Sequence, residues 1–239
     1  MRAIILAAGM GLRLVQPEGQ QKPKCLLRFG ESSLLERHLQ LLKTAGVDEI
    51  VFVLGFKHEQ VEAEFAAIDW KPHTEVVVNR DFSLGSVLLM DADVLYDERI
   101  LDPLVAGVGP ANRLLIDRDF EAGDEPVKLC VANGVPVELR KQVLADLQFD
   151  MIGESVGFFC FDETAARRLA ELVASYVATG RANLPHEEAV RDLLLERSQV
   201  FDVTDVTGVP WIEIDFQNDV KRVADKVLPQ LRQLAGALR

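Results

Sequence analysis

Apolar residues along this chain come in short bursts separated by stretches of helical spacing, and that alternation predicts βαβ units. The first burst, Ala3 to Leu6, reads as a buried strand. Ser33-Leu34-Leu35-Glu36 is a capping box opening a helix whose apolar positions Leu35, Leu39, Leu42 and Ala45 share a face, with Gly46 closing it. Glu49 to Leu54 is a second strand, Glu59 to Ala67 a helix and Glu75 to Val78 a third strand, while Leu88 to Met90 is a fourth running into Asp91-Ala92-Asp93. The fold class is therefore α/β, a Rossmann-like, mostly parallel central sheet flanked by helices. Its acidic motif stands at a strand's C-terminal end, where open α/β sheets bind ligands.

One spacing is unusual. Only about eight residues separate Val78 from Val87, whereas a crossover between adjacent parallel strands takes a dozen or more. Either the two strands are not parallel neighbours, or a connecting helix has been lost, or residues are missing there.

Past Asp93 the rhythm changes to strands at Arg113 to Ile116, Val127 to Ala132 and Val135 to Leu139, the last two joined by the hairpin signal Asn133-Gly134. Ser155 to Phe161 is a further strand, and this central stretch reads as a small antiparallel lid or acceptor lobe. Helices over Glu163 to Ala178 and Glu187 to Arg197, strands at Phe201 to Val206 and Trp211 to Ile214, and a C-terminal helix complete the pattern. That last helix is capped by Asn218 or Asp219 and carries Val223, Val227, Leu231 and Leu234.

At 239 residues the chain needs no second domain: one domain spans 1–239, with halves at about 1–100 and 110–205 and a C-terminal piece at 206–239. Lys and Arg number 26 against 38 Asp and Glu, a net charge of -12, which argues against nucleic acid as a partner. No apolar run approaches the roughly 20 residues of a membrane span. Cys25, Cys130 and Cys160 are scattered without a CxxC pair, so neither a disulfide framework nor a zinc site is indicated and a reducing cytoplasm is the expected compartment.

Candidate chemistry begins where the first strand ends, at Ala7-Ala8-Gly9-Met10-Gly11-Leu12-Arg13, followed by Lys22-Pro23-Lys24. Small residues and glycines leave backbone N–H groups bare for a polyphosphate, and Arg13 and Lys24 supply countercharge. A dinucleotide fingerprint would place a third glycine at Leu14, and a Walker loop would end in GK[ST]; neither pattern is met. Glycines alone would mark only a tight turn, and Lys22 alone a solvated loop lysine. His38, His58, His73 and His186 read as surface or structural residues, and Asp97, Glu98, Asp117 and Asp119 as solvated loop charges.

The loop resembles that of the nucleotidyltransferases of GT-A-like fold, whose pattern is a strand, AAGxGxR, a short variable stretch and PKxLL; Pro23-Lys24-Cys25-Leu26-Leu27 completes the match. Within that family the chain is most similar to cytidylyltransferases that activate phospho-alcohols, such as the CTP:phosphocholine and CTP:inositol-1-phosphate enzymes, on the strength of Met90-Asp91-Ala92-Asp93 and Glu213-Ile214-Asp215. The resemblance implies Mg²⁺ held by Asp93 and Asp215, with Glu213 and Asp91 close by. It further implies Arg13 on the triphosphate, Lys24 on phosphates bridging nucleotide and acceptor, and nucleotide contacts from Ala7, Ala8, Gly9, Gly11, Gly55, Asn79 and Ser86. Glu154 and Glu188 resemble acceptor-pocket positions, although acids at a helix start also serve its dipole.

The expected reaction transfers CMP from CTP to a phospho-alcohol or phosphonate with release of pyrophosphate. A sugar-1-phosphate uridylyl- or thymidylyltransferase and a catalytically silent nucleotide-binding regulatory subunit are the competing readings. Partners are then small-molecule substrates, CTP or another NTP and the phosphorylated acceptor, with a homodimer left open. Choline would need an aromatic cage, for which Phe158, Phe159 and Phe161 are the nearby rings.

Overall fold

A computed structural model describes residues 1–9, 13–14, 21–70, 72–76, 86–106, 112–121 and 123–232. In chain order the elements are β1 (Arg2–Ala7), β2 (Arg28–Phe29), β3 (Ser32–Ser33), α1 (Leu34–Thr44), β4 (Glu49–Leu54), α2 (His58–Ala66), β5 (His73–Val76), β6 (Val87–Asp91) and β7 (Val94–Tyr96). They continue with α3 (Asp102–Val105), β8 (Asn112–Asp117), β9 (Lys128–Ala132), β10 (Val135–Arg140), β11 (Met151–Phe161), α4 (Glu163–Ala178), α5 (His186–Leu195), β12 (Phe201–Asp205), β13 (Trp211–Glu213) and α6 (Gln217–Arg222). The chain divides into two units, Met1–Arg80 with Leu89–Asp102 and Val209–Arg239, and Asp81–Leu88 with Pro103–Gly208. Among the described residues no helix is long and apolar enough to cross a membrane.

Parallel pairing builds the first unit. β1 pairs with β4 from Arg2 opposite Glu49 to Ala7 opposite Leu54, and β4 pairs with β5 from Glu49 opposite His73. β6 lies on the other side of β1, giving the order β6-β1-β4-β5. The strands on either side of the short Val78 to Val87 connection are separated by β1 and β4 and are not neighbours, and residues 77–85 between them lie outside those described. The third strand starts at His73, two residues before the expected Glu75, and residues 77 and 78 lie outside those described.

Ala3, Ile4 and Ile5 of β1 and Ile50, Val51 and Phe52 of β4 are all buried, so both faces of these strands are covered, as parallel sheets require. Both bonds of the expected capping box form on α1: Glu36 N–H donates to Ser33 Oγ at 3.1 Å and Ser33 N–H to Glu36 Oε2 at 2.8 Å. Gly46 closes the helix at φ 74°, a left-handed conformation that favours glycine.

The C-terminal segment departs from the expected helix. α6 ends at Arg222, a wider π turn takes Val223–Val227 and a 3-10 turn Leu228–Gln230, where Pro229 has no N–H to give. Asp219 is not the cap residue itself; it lies in the first turn and accepts the N–H groups of Asp215 at 3.1 Å and Phe216 at 2.7 Å. The apolar positions still pack as amphipathicity demands, Val223 in a cluster with Leu34, Leu95, Ile212 and Ile214, and Val227 and Leu231 against it. Leu234 lies outside the described residues. Asp97 is no solvated loop charge. Completely buried, it accepts Arg99 Nε at 2.6 Å and the Arg232 N–H at 2.9 Å, so it fastens the C-terminal segment.

The second unit is mostly antiparallel. β10 pairs with β9, β9 with β11 and β11 with β8, all antiparallel, and β12 adds to β8 in parallel. Asn133 and Gly134 turn the β9-β10 hairpin at φ 51° and 77°, the type I′ signature that the Asn-Gly pair predicts. Phe158, Phe159 and Phe161 have no exposed area and pack into the core of this unit, Phe159 and Phe161 stacked at 6.1 Å.

α1 buries polar residues that an apolar face would not call for, His38 the most deeply. His38 is 1% exposed, and burial pushes its imidazole down to about 4, so it is neutral in the fold. The unfolded chain, with an imidazole near 6.5, binds the proton more tightly. This contribution to stability is therefore complete above about pH 6.5 and is lost as pH falls from there toward about 4. Urea unfolding of the wild type should show about 2 kcal/mol of His38-dependent destabilisation between pH 7 and pH 5. His38→Leu should flatten that slope, and an equal slope in the variant would contradict this account.

Candidate functional site

Three carboxylates from two distant parts of the sequence meet in the first unit. The turn between β6 and β7 presents Asp93, and the Ala92 N–H donates to the Leu6 carbonyl at 3.2 Å, tying that turn to the end of β1. β13 pairs antiparallel with β7, Glu213 opposite Val94, and the Ile214 N–H donates to the Asp93 carbonyl at 3.0 Å. Alternation leaves Ile214 fully buried while Glu213 and Asp215 point the other way. One oxygen from each of Asp93, Glu213 and Asp215 lies within 4.8 Å of the others, a group that does not take in Asp91. Three hard oxygen donors this close suit Mg²⁺, which takes few carboxylates and completes its shell with phosphate and water.

Two cations are bonded to these acids. Lys24 Nζ donates to Asp93 Oδ2 at 2.9 Å and to Asp215 Oδ1 at 2.6 Å, and Arg13 Nη2 lies 2.9 Å from Asp215 Oδ2. The Arg13 guanidinium also sits 5.4 Å from the centre of the Phe216 ring. Lys24 is placed by Pro23 and a 3-10 turn over Lys24–Leu26 that buries Cys25 and Leu26. Burial would lower its ammonium, but Asp93 and Asp215 outweigh that and raise it above the ordinary lysine value, so Lys24 is a cation and no general base at neutral pH. Burial, with Asp93 adding to it, pushes the neighbouring Cys25 thiol up to about 12, which removes it as a nucleophile.

The loops after β1 and β4 touch. The Phe56 N–H donates to the Ala8 carbonyl at 3.3 Å, and a Cβ on Gly55 would stand 2.6 Å from that same oxygen. Glycine is thus required at 55 by the close approach of two backbones. Lys57 Nζ reaches the Gln21 carbonyl at 2.6 Å and draws the β4 loop to the segment that leads into Lys24. Of the expected nucleotide positions, Ala7 is buried at the end of β1, Ala8 and Gly9 are exposed and Ser86 directly precedes β6. Gly11 and Asn79 lie outside the described residues, and Lys22 is exposed.

In the second unit Glu154 lies on β11, opposite Asp117 of β8 and Lys128 of β9. Glu188 is engaged by Arg140, whose Nε donates to Oε1 at 2.8 Å and Nη2 to Oε2 at 2.5 Å, and that pairing holds its carboxyl below the ordinary range. The sequence reading did not single out Phe216 or Lys57. An exposed aromatic next to an acidic motif is the one local signal that Phe216 offered.

Residues 3–89 match the MobA-like NTP transferase domain. The chain is 23% identical to the CTP:phosphoglutamine cytidylyltransferase of Campylobacter jejuni over 95% of its own length and 100% of that protein. To the CMP-5'-(3-aminopropyl)phosphonate synthase of Streptomyces rubellomurinus it is 27% identical over 98% of this chain but only 40% of that longer protein. Among solved structures, the inositol-1-phosphate CTP transferase of T. maritima superposes with a TM-score of 0.74 at 18% identity, covering 97% of this chain and 98% of the other, a likeness of fold.

Lys24→Met keeps the aliphatic stem and removes the charge bonded to two carboxylates. Without nucleotide, Mn²⁺ should bind this variant about three- to tenfold more tightly than the wild type, as an uncompensated acidic cluster attracts a cation more strongly. Calorimetric titration measures this, and equal or weaker binding would show that the carboxylates do not converge on an ion.

Proposed function

We propose that this chain, whose residues 3–89 match the MobA-like NTP transferase domain, is a nucleotidyl transfer enzyme that transfers CMP from CTP to a phosphorylated or phosphonate acceptor and releases pyrophosphate. What supports this reading above all is the Lys24 ammonium bonded to both Asp93 and Asp215 with Arg13 beside them, which gathers cations and carboxylates at the end of β1. CTP is favoured as donor because two of the similar proteins named above are CTP enzymes and the third is named for a CMP product.

In the proposed reaction the bare backbone after β1 receives the triphosphate, and Arg13 neutralises the departing pyrophosphate. Lys24, released from its carboxylates, contacts phosphates of nucleotide and acceptor. Asp93, Asp215 and Glu213 would hold Mg²⁺, which offsets negative charge on the α-phosphate. An acceptor oxygen attacks the α-phosphorus in line, its bond forming as the bond to pyrophosphate breaks. A phosphomonoester has its second pKa near ~6, so the attacking oxygen is ionised at neutral pH and needs no base. Catalysis then consists of positioning and charge neutralisation.

Glu154 and Glu188 are the proposed acceptor contacts. Quaternary ammonium is disfavoured as the acceptor's head group, since Phe158, Phe159 and Phe161 have no exposed surface to form a cage. An inositol, glycerol, amino-acid or aminoalkyl group fits the polar residues better.

Pyrophosphate release should require CTP, Mg²⁺ and one member of a panel of phospho-alcohols, phosphoamino acids and aminoalkyl phosphonates. Asp93→Ala and Lys24→Met should each lower turnover about 100-fold or more, the scale of losing one charge-stabilising group. Preference for UTP or dTTP with a sugar 1-phosphate would replace this reading with the sugar nucleotidyltransferase one. Nucleotide binding without turnover on any acceptor would mark a silent subunit.

A further inference from the structure

Two fully buried polar side chains stand behind Asp93. His38 of α1 is 1% exposed and Tyr96 of β7 is 0% exposed. His38 Nε2 lies 3.2 Å from the Ala92 carbonyl and Nδ1 lies 3.3 Å from the Tyr96 hydroxyl. A carbonyl only accepts, so Nε2 carries the proton and donates it to Ala92, which leaves Nδ1 to accept from the Tyr96 O–H. Both nitrogens of a neutral imidazole are thereby used, in the one tautomer that this arrangement allows.

The same helix fixes the far end of β7, because Arg37 Nε and Nη2 donate to the Tyr96 carbonyl at 3.0 and 2.9 Å. Ala92 is held on both sides, its N–H on Leu6 and its C=O on His38, and the Asp93 carbonyl is taken by Ile214. The peptide joining Ala92 to Asp93 therefore cannot flip without breaking a buried hydrogen bond. A buried polar pair is a costly way to fill a core, since an apolar pair of similar volume is often as stable.

We infer that His38 and Tyr96 are positioning residues for Asp93: they fix the peptide plane before it, and with that the direction in which its carboxylate meets Glu213 and Asp215. The inference rests on the proposed role of those carboxylates as cation ligands. It assigns to α1 a part in the site that runs through the Ala92 carbonyl.

The discriminating variant is the apolar pair His38→Leu with Tyr96→Phe, set beside His38→Gln, whose amide N–H can still reach the Ala92 carbonyl. Mn²⁺ binding in the presence of CTP, followed by electron paramagnetic resonance, should weaken about five- to tenfold in the double variant and stay within about twofold of wild type in His38→Gln. The urea midpoint of the double variant at pH 7.5 should stay close to that of the wild type. Wild-type Mn²⁺ affinity in the double variant would overturn the inference, as would equal losses in both variants or a collapse of the double variant's midpoint, which would make the pair a stability device. If the wild type binds no Mn²⁺ with CTP, the cation reading of the carboxylates fails first and takes this inference with it.

Discussion

The Lys24 ammonium is shared by Asp93 and Asp215, residues 69 and 191 positions away in sequence, and the first unit is organised around bringing those three to one point. A partly buried cation is tolerable only beside carboxylates, and carboxylates within 4.8 Å of one another are tolerable only beside a cation. The two carboxylates therefore stabilise the charged form of Lys24. The raised ammonium of Lys24 expresses that dependence, since burial alone would have lowered it.

Backbone elements meet the geometric demand. Asp93 needs a turn whose amide is anchored on β1, and Leu6 supplies the carbonyl; Asp215 needs a strand beside β7, and β13 supplies it through only three residue pairs. So short a ribbon would be marginal alone. It is held by the apolar cluster of Leu34, Leu95, Ile212, Ile214 and Val223 beneath it and by the Asp97 bonds that fasten the C-terminal segment. Core packing and site geometry are one problem in this unit, because Ile214 is buried in the step that exposes Asp215 to Lys24.

What was legible in the sequence was local. The Ser33 and Glu36 capping box, Gly46, the Asn133-Gly134 hairpin and the strand from Glu49 to Leu54 each depend on neighbours a few positions apart, and each formed as the pattern implied. β7 went unread because Val94-Leu95-Tyr96 is buried throughout and shows no alternation. Asp97 was misread because an isolated acid in a loop looks solvated until its partners at Arg99 and Arg232 are known. The C-terminal segment followed amphipathic periodicity but not regular helical hydrogen bonding, and Pro229 was the overlooked signal. Asp93 stood out at a strand end, Lys24 as a cation following the glycine loop and Asp215 through the family resemblance, whereas their mutual bonding is a long-range fact that spacing cannot encode. His38 looked like a surface or structural residue, and its link to Ala92 exists only because the fold packs α1 against the β6-β7 turn.

An acidic chain of net charge -12 must still admit a polyphosphate, and the site shows how that conflict is eased. Its cations are already paired with carboxylates, so they do not act as a bare positive patch. On the proposed reading, a nucleotide that arrives with its own divalent ion offers phosphate oxygens to Lys24 and Arg13 while its ion takes the place of those cations on Asp93 and Asp215. Charges change partners, and no buried group is left uncompensated at the end. A nucleotide without the ion would draw the cations away and leave carboxylates facing each other, and an ion without the nucleotide would have to displace Lys24 into a setting that offers it no anion. The cluster therefore selects the two together, which is the form in which a triphosphate is chemically ready for transfer.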